Sequence, residues 1–252
     1  MATARSGSGI VVKPSADVAV NGGRKHAGDV ASRGGSDDAQ RAGERPYRYP
    51  REQVGVLAIV LFANALNVTM LFPFVGFMVE DLGMTHDRAE LGFYAGWIGS
   101  AFMVGRTCTS FAWGTWSDKH GRRPVLLLGL VSIVVTAAAF GLSSSFAMAI
   151  VARLIAGLCN AIVGTAKTCA SEMTSKADQG RAMVWITGCW GLGIIVGPAV
   201  GGMLARPASQ YPSAFAADGV FARYPYLLPN LVTSAVAVVA TLACWLWFDE
   251  TL

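Results

Sequence analysis

The chain has 252 residues, of which 53% are apolar and 14% are charged, and its mean hydropathy is +0.46. Soluble domains carry about 25% charged residues, so this composition excludes an ordinary soluble domain and indicates a membrane protein. The net charge of +4 does not indicate nucleic-acid binding, because nine of the twenty Lys and Arg lie in the first 51 residues. The five cysteines fall in apolar spans without a C-x-x-C pair, which predicts buried packing thiols and neither a disulfide framework nor a metal site.

Residues 1–50 are rich in Gly, Ala, Ser, Arg and Asp and lack hydrophobic periodicity, which predicts a disordered cytosolic tail. Six apolar spans follow, each close to the ~20 residues that cross a bilayer. They must be helical, because lipid offers backbone polar groups no hydrogen-bond partner. The sequence therefore predicts an all-α membrane protein whose residues 51–252 form a six-helix transmembrane bundle. The predicted spans are residues 54–79, 91–113, 125–142, 146–170, 182–204 and 226–248.

The distribution of Lys and Arg predicts how the bundle is oriented. If the amino terminus lies inside, fourteen of these residues lie on inner segments and three lie on outer loops. Inner loops of membrane proteins carry the excess of positive charge. Both termini are therefore predicted to face the cytosol in a multi-pass integral membrane protein.

The strongly charged segment Gly114–Pro124 is predicted to be the inner turn between the second and third spans. Gly114, at the start of this segment, and Gly121 would permit a tight turn. Arg122 and Arg123 are expected to pair with Asp118 and with lipid phosphates. The alternative is a positive turn that only fixes topology.

The fifth span carries a smooth stripe, because Gly193, Gly197 and Gly201 recur every four residues and Gly202 follows directly. A neighbouring helix can approach such a stripe closely. Pro198 removes a backbone hydrogen bond and should bend the helix. A bent, closely packed helix suits a gate between two rocking bundles, whereas the alternative is ordinary packing of small residues.

Several polar residues lie inside the predicted spans. A charge inside the bilayer costs about 2.5 kcal/mol or more, so Arg153 is expected to face a cavity or a partner, with snorkelling as the alternative. Arg106 and Lys167 could also line a translocation path. Arg106 is expected to face the interior, whereas for Lys167, one turn from the inner surface, snorkelling is the alternative. Asn64 and Asn67 share a helix face and would either line a translocation path or bond to a neighbouring helix.

Three motifs in these segments resemble signatures of the major facilitator superfamily of secondary transporters. Gly114-x-x-x-Asp118-x-x-Gly121-Arg122-Arg123 resembles its loop 2–3 signature. Arg153-x-x-x-Gly157 resembles its span-four arginine motif, to which a role in proton coupling is attributed. Gly193–Gly202 resembles the span-five signature of its antiporters. The resemblance implies the amino-terminal half of the superfamily fold and a proton-coupled transporter without a cofactor.

Further segments resemble the plant zinc-induced facilitator-like branch of that superfamily. They are Leu71–Phe74, Gly92–Gly96, Gly105-Arg106, Ala170–Glu172, the loop Arg206–Tyr226 and the final Asp249–Leu252. This resemblance implies export or sequestration of zinc, a metal chelator or a related small organic ion, at the vacuolar or plasma membrane. The alternatives are a multidrug-type efflux antiporter and a half-length partner that binds a full-length transporter without transporting.

The superfamily has twelve spans in two halves, whereas six are predicted here. We therefore expect either that the chain is part of a longer protein or that a second copy completes the path. No nucleophile with its base, phosphate-binding loop or dinucleotide loop is visible, so an enzyme is not expected. The expected partners are a small-molecule or ion substrate, the lipid bilayer and the second six-helix unit.

Overall fold

A computed structural model of the chain describes residues 49–250 except residues 86 and 217, and the described residues form helices and loops without strands. Residues 1–48 lie outside the described residues, so the disordered tail stays a prediction. The described part contains ten helices. They are α1 (Arg51–Thr69), α2 (Val75–Asp81), α3 (Arg88–His120), α4 (Arg122–Gly141), α5 (Phe146–Leu158), α6 (Ile162–Met173), α7 (Gln179–Leu204), α8 (Pro207–Gln210), α9 (Val220–Arg223) and α10 (Leu227–Trp247).

Five segments of the described residues are long and apolar enough to cross a membrane: α1, α4, α5 with α6, α7, and α10. The predicted second span lies in α3, which has 33 residues. At about 1.5 Å per residue this helix has the length to cross a bilayer. It does not reach the same apolarity, so the count of six spans stays a prediction.

Helix α1 lies at the centre of the bundle, and 13 of its 19 residues are buried. Helices α7 and α10 pack along it, and α4 packs along α10. We name the end of the bundle at which α1 begins the near end, and the opposite end, where α2 finishes at Asp81, the far end. One apolar core cluster, which includes Leu57 and Leu130, lies toward the near end, and a second, which includes Phe74 and Phe140, lies toward the far end.

The first predicted span is broken into two helices. Helix α1 ends at Thr69 and α2 begins at Val75, with a turn over residues 70–74. Pro73 lies in this turn and has no N–H with which to continue a helix. The break lies where the proline predicts a bend.

The fourth predicted span is also broken, at residues 159–161, and neither proline nor glycine lies in this break. The carbonyl of Leu158, at the end of α5, accepts hydrogen bonds from Thr109 Oγ1 at 2.8 Å and Trp113 Nε1 at 2.7 Å. Side chains of α3 thus satisfy a carbonyl that a continuous helix would satisfy itself. The predicted fourth span is thus interrupted, while Phe146–Met173 as a whole is long and apolar enough to cross a membrane.

The predicted turn over Gly114–Pro124 is wrong in its extent. Helix α3 continues through Gly114 to His120, and Gly121 alone joins it to α4. Gly121 has a φ of 100°, a conformation that favours glycine. Gly114 lies exposed within α3, with open space where a Cβ would stand, so it is not a turn residue.

The cysteines do not all behave as predicted. Cys169 and Cys244 are buried, and Cys159 and Cys189 are half-buried, but Cys108 is exposed on α3. The prediction of a buried packing thiol is therefore wrong for Cys108. The apolar run around Cys108 reflects the side of α3 that no other described helix covers.

Candidate functional site

Four buried polar side chains meet at the middle of the bundle: Asn64 and Asn67 of α1, Arg153 of α5, and Asn160 at the break between α5 and α6. Asn160 Nδ2 donates to Asn64 Oδ1 at 2.6 Å, which ties the break to α1. Asn64 Nδ2, Asn67 Nδ2, Asn160 Oδ1 and Arg153 Nε are buried without a hydrogen-bond partner among the described residues. We call these four residues the polar cluster. Unsatisfied buried polar groups are costly, so such a concentration of them points to a functional site.

Arg153 is 5% exposed and turns toward α1 rather than toward the end of the bundle. Its Nη1 donates to the backbone carbonyl of Asn67 at 3.4 Å. Its guanidinium carbon lies 5.1 Å from the ring centre of Phe102 and 5.4 Å from that of Phe140. Two aromatic faces stabilise the buried charge, and within the described part of the chain no carboxylate pairs with it. This placement matches the expectation of an inward-facing arginine and not the snorkelling alternative.

Small residues bring α5 close enough to α3 for Arg153 to be enclosed. A Cβ at Gly157 would overlap the backbone carbonyl of Phe102. A Cβ at Gly105 would lie 2.5 Å from the carbonyl oxygen of Leu154. The two helices therefore touch backbone to backbone, and Phe102 is carried against the guanidinium. The role of Gly157 that the structure supports is close helix packing.

A cavity of about 230 Å³ adjoins the polar cluster between α3 and α6. It is lined mainly by polar residues. These are Arg106, Ser110, Trp113, Gly114, Ser117, Arg122, Asn160, Ala161, Gly164, Thr165 and Thr168. The half-buried Arg106 contributes a cation, as its expected inward position requires.

Hydroxyl groups in this cavity already use their protons. Ser110 Oγ donates to the carbonyl of Thr107 at 2.9 Å, and Thr165 Oγ1 donates to that of Ala161 at 3.1 Å. Their oxygen lone pairs remain available to accept. The cavity thus offers guanidinium donors from Arg106 and acceptors from hydroxyl groups, and this combination suits a ligand that carries both an anionic group and N–H groups.

A charged network around Arg122 lies at the near end of the same cavity. Its guanidinium pairs with Asp118 Oδ1 at 2.6 Å and Glu172 Oε1 at 2.9 Å, and donates to Ser117 Oγ at 2.9 Å. The pairing with Asp118 follows the expectation from the sequence. Glu172 comes from α6. Its position in the sequence suggests Lys167 and Lys176 as partners, because both lie close to it along the chain, and does not indicate Arg122.

Arg123 differs from the expectation that it would pair with Asp118 or lipid. Its Nη2 donates to the backbone carbonyl of Trp245 at the end of α10. This contact satisfies one of the carbonyl groups that a helix end leaves without an internal partner. Arg123 thus joins α4 to α10, and it does not line the cavity.

The glycine stripe of α7 packs against α1. A Cβ at Gly193 would lie 2.6 Å from that of Ala65, and Cβ atoms at Gly197 and Gly201 would overlap Thr69 and Met70. Thr69 Oγ1 bridges the two helices, since it lies 2.9 Å from the carbonyl of Ala65 and 3.3 Å from that of Gly193. The stripe therefore faces the inside of this bundle.

The other two members of the predicted span-five gate lie beside the stripe. Pro198 is half-buried within α7, which continues through it. A Cβ at Gly202 would be in ordinary contact with Pro73, at 3.6 Å. The predicted gate is thus a helix that packs on the broken first span, and its motion stays a prediction. Lys167 is exposed on α6 and does not belong to the polar cluster.

A second charged site, at the far end, was not predicted from the sequence. Arg206 binds Asp81 through both oxygens, at 2.5 and 3.0 Å, and Tyr226 donates to the same carboxylate. Burial and the Asp81 carboxylate raise the pKa of Tyr226 above its usual value. Burial opposes the charge on Arg206, but the bonds to Asp81 and Tyr226 outweigh it and raise the pKa of the guanidinium. The three side chains join α2, the end of α7 and the start of α10.

These features define a polytopic α-helical bundle of the transporter kind, with an arginine enclosed at its centre and a polar cavity beside it. The pattern of the Major Facilitator Superfamily matches residues 57–251. The chain therefore belongs to the major facilitator superfamily, a family of membrane transporters and not of enzymes. The resemblance of its motifs to that superfamily is confirmed.

Similar proteins of known name support the resemblance to the zinc-induced facilitator-like branch as well. The chain is 42% identical over 204 residues to the protein ZINC INDUCED FACILITATOR 1 of Arabidopsis thaliana, and the match covers 81% of this chain and 42% of that protein. It is 37% identical over 204 residues to the multidrug transporter mfsB of Aspergillus fumigatus, covering 81% and 34%. The chain thus spans less than half the length of these relatives.

Among solved structures, a bacterial homologue of the human lysosomal transporter Spinster, in an inward-facing conformation, superposes with a TM-score of 0.66 at 15% identity. The match covers 83% of this chain and 46% of that one. At this identity the likeness shows the fold alone. It confirms an all-α partial fold of the superfamily.

Proposed function

We propose that this chain forms the amino-terminal half of a proton-coupled secondary transporter that moves a metal chelator or a related small organic ion. The observation that carries the proposal is the polar cluster with its adjoining cavity. Its unpartnered amide groups need a ligand or water to complete their hydrogen bonds. Relatives named for zinc induction support a solute connected with metals.

The charge of this region favours a chelator over free zinc. Arg153 and Arg106 both present positive charge near the cavity, and like charges at short range repel a bare cation. An arginine suits a carboxylate because its planar guanidinium donates two parallel hydrogen bonds. The acceptor oxygens of Ser110 and Thr165 suit the N–H groups of the same ligand.

Proton coupling is assigned to the network at Arg122. Asp118 and Glu172 are the carboxylates that form ion pairs with the guanidinium of this cavity-lining arginine. A proton on either one would weaken its bond to Arg122, and this links protonation to the mobility of the near end. Arg153 then acts as the fixed positive charge that holds the anionic solute.

A complete path requires a second six-helix unit in this proposal. The chain covers 42% of ZINC INDUCED FACILITATOR 1, and the exposed face of α7 presents apolar side chains such as Val184 and Ile195. The second unit is either a further segment of a longer protein or a second copy of this chain. Cross-linking through a cysteine introduced at Ile195 distinguishes a second copy, because only that arrangement yields a covalent dimer of identical chains.

The near end is assigned to the cytosol and the membrane to the vacuole or the cell surface. The excess of Lys and Arg on near-end segments supports this orientation. Labelling of a cysteine introduced at Lys119 in sealed cells tests it. For protein at the cell surface, access only after permeabilisation agrees with the assignment, whereas labelling of intact cells contradicts it.

Uptake into vesicles under a pH gradient tests the transport proposal. The substrate panel contains free zinc, an aminocarboxylate chelator with and without zinc, and a cationic drug. We expect gradient-dependent uptake of the chelator, with strong loss in Arg106→Gln. Arg223→Gln is the matched control, since Arg223 is exposed at the far end and stacks on Tyr224.

The second candidate function is multidrug efflux. It is favoured by the 37% identity to mfsB and by the large apolar residues exposed on α3 and α7, such as Phe111 and Ile195. Uptake of the cationic drug without uptake of the chelator would select this candidate. Uptake of neither, together with co-purification of a full-length relative, would select a half-length partner that does not transport.

A further inference from the structure

A pocket of about 430 Å³ lies at the near end, in the seam between α1 and α7. It lies apart from the cavity beside the polar cluster and shares no lining residue with it. The lining residues are Tyr49, Arg51, Val54, Gly55, Ala58, Arg181 and Trp185. None of the functions assigned above uses this pocket.

The polar side of the pocket is positive. Arg51 begins α1, and Arg181 lies in the first turn of α7, so both cations stand where a helix already presents its positive end. Neither guanidinium forms an ion pair within the described part of the chain. Glu52 and Asp178 lie close to them in sequence, but neither carboxylate lines the pocket.

A buried hydroxyl group accompanies these charges. Tyr49 Oη is inaccessible and has no hydrogen-bond partner among the described residues. The guanidinium carbon of Arg181 lies 5.2 Å from the centre of the Tyr49 ring. A ligand oxygen in the pocket would receive two charge-assisted bonds from the arginines.

The other side of the pocket is apolar and open toward the flank of the bundle. Val54, Gly55 and Ala58 belong to α1, and the indole of Trp185 is 60% exposed beside them. Tryptophan favours the level of lipid headgroups, where one part of the ring is apolar and the other is wet. The ligand must therefore carry an anionic group and an apolar part.

We propose that this pocket binds the phosphate headgroup of an anionic phospholipid, with its acyl chains along Gly55, Ala58 and Trp185. The phosphate lies between Arg51 and Arg181. The site lies where the apolar parts of α1 and α7 begin, which is the level of the phosphates in a bilayer. A soluble phosphate lacks the part that Trp185 and the apolar floor would contact.

The lipid would stabilise the seam that also contains the glycine stripe of α7. Gly193 contacts Ala65 in this seam, further along the same two helices. Occupation of the pocket would hold the beginnings of α1 and α7 together at the near end. Anionic lipid is thus expected to raise the thermal stability of the chain.

Lipid binding by the full chain in detergent tests the proposal. Native mass spectrometry measures retention of a phosphatidylserine, a phosphatidylcholine and inorganic phosphate by the wild type and by Arg51→Gln/Arg181→Gln. We expect one tightly bound phosphatidylserine. We also expect affinity to fall about fivefold for each arginine and about 25-fold for the pair.

Two further variants keep the test decisive. Arg223→Gln removes the same charge from an exposed arginine at the far end and should leave phosphatidylserine binding unchanged. Trp185→Phe should remove most of the fluorescence quenching caused by phosphatidylserine with brominated acyl chains. This readout does not depend on the arginine variants folding.

Three results would overturn the proposal. The first is equal retention of phosphatidylcholine and phosphatidylserine by the wild type. The second is undiminished binding of phosphatidylserine by a folded double variant. The third is displacement of the lipid by inorganic phosphate at comparable concentration, which would identify a site for soluble anions.

Discussion

The side chain of Glu250 accepts a 2.7 Å hydrogen bond from the backbone N–H of Arg122, the first residue of α4. The other carboxylate oxygen accepts from the N–H of Arg123 at 3.1 Å. A negative charge on two free N–H groups at a helix start is a favourable arrangement. The segment after α10 therefore fixes the start of α4, beside the network around Arg122.

Glu250→Ala is predicted to destabilise the chain by about 1 kcal/mol, because it removes both bonds at the start of α4. Glu250→Gln should cost less, since its amide oxygen still accepts one bond. Unfolding in mixed micelles measures the free energy. Asp218→Ala, which removes an exposed carboxylate at the far end, is the matched control. Equal effects of Glu250→Ala and Asp218→Ala would contradict the capping role.

Gly157→Ala is predicted to destabilise the bundle by about 1–3 kcal/mol, the usual cost of overpacking. The added methyl would overlap the carbonyl of Phe102, and backbone cannot move aside as a side chain can. Gly164→Ala is the control, because open space surrounds its Cβ position on α6. The thermal midpoint measured by size-exclusion chromatography compares the two. A midpoint that is no lower for Gly157→Ala than for Gly164→Ala would refute close packing of α3 on α5.

The contact of Tyr226 with Asp81 predicts a pH dependence of stability. Burial, with Asp81 adding to it, raises the pKa of this phenol in the folded state, whereas the unfolded chain ionises it near pH 10. The stabilisation is therefore fully present below about pH 10 and is lost as pH rises toward the raised folded-state value.

Thermal midpoints of the wild type and Tyr226→Phe from pH 8 to pH 11 test this dependence. The wild type should be the more stable at pH 8, and its advantage should shrink above about pH 10 at up to ~1.4 kcal/mol per pH unit. The remaining tyrosines are common to both proteins and cancel. An advantage that stays constant or grows with pH would contradict the contact.

Arg153→Met is predicted to separate stability from transport. The arginine is buried without a paired carboxylate in the described residues, so an apolar side chain of similar length should leave the free energy of unfolding unchanged or higher. Uptake driven by a pH gradient should be lost, because the proposed path loses its fixed charge. A variant that is much less stable but transports normally would assign Arg153 a structural role alone.

Much of the fold follows from the sequence because lipid leaves few choices. Continuous apolar runs had to be helices, and the inward position of Arg153 followed from the cost of a charge in lipid. Pro73, whose missing N–H is visible in the sequence, lies in the break of the first span. The superfamily followed from motifs whose residues match its signatures and whose positions among the apolar spans agree with them.

The remaining features depend on contacts between distant residues. Asn160 was overlooked because an asparagine in an apolar span does not predict a helix break. That break depends on Thr109 and Trp113, which lie on another helix. The bond between Arg206 and Asp81 joins residues 125 positions apart, and no local pattern announces such a pair. Arg206 also adopts a left-handed backbone conformation, with a φ of 50°. This conformation is expected at glycine or asparagine, so an arginine gives no sign of it in the sequence.

Protection of a cavity cysteine by substrate tests the central claim that the solute path runs between α3 and α6. Ser110→Cys places a thiol in the cavity, and Thr115→Cys places one on the same helix outside it. Cys108→Ser, Cys159→Ser and Cys189→Ser remove the accessible native thiols from the background. The rate of modification by a methanethiosulfonate reagent is measured with and without the chelator that the vesicles take up. The account predicts that the chelator slows modification at position 110 and not at position 115. Equal rates at position 110 with and without the chelator would contradict it.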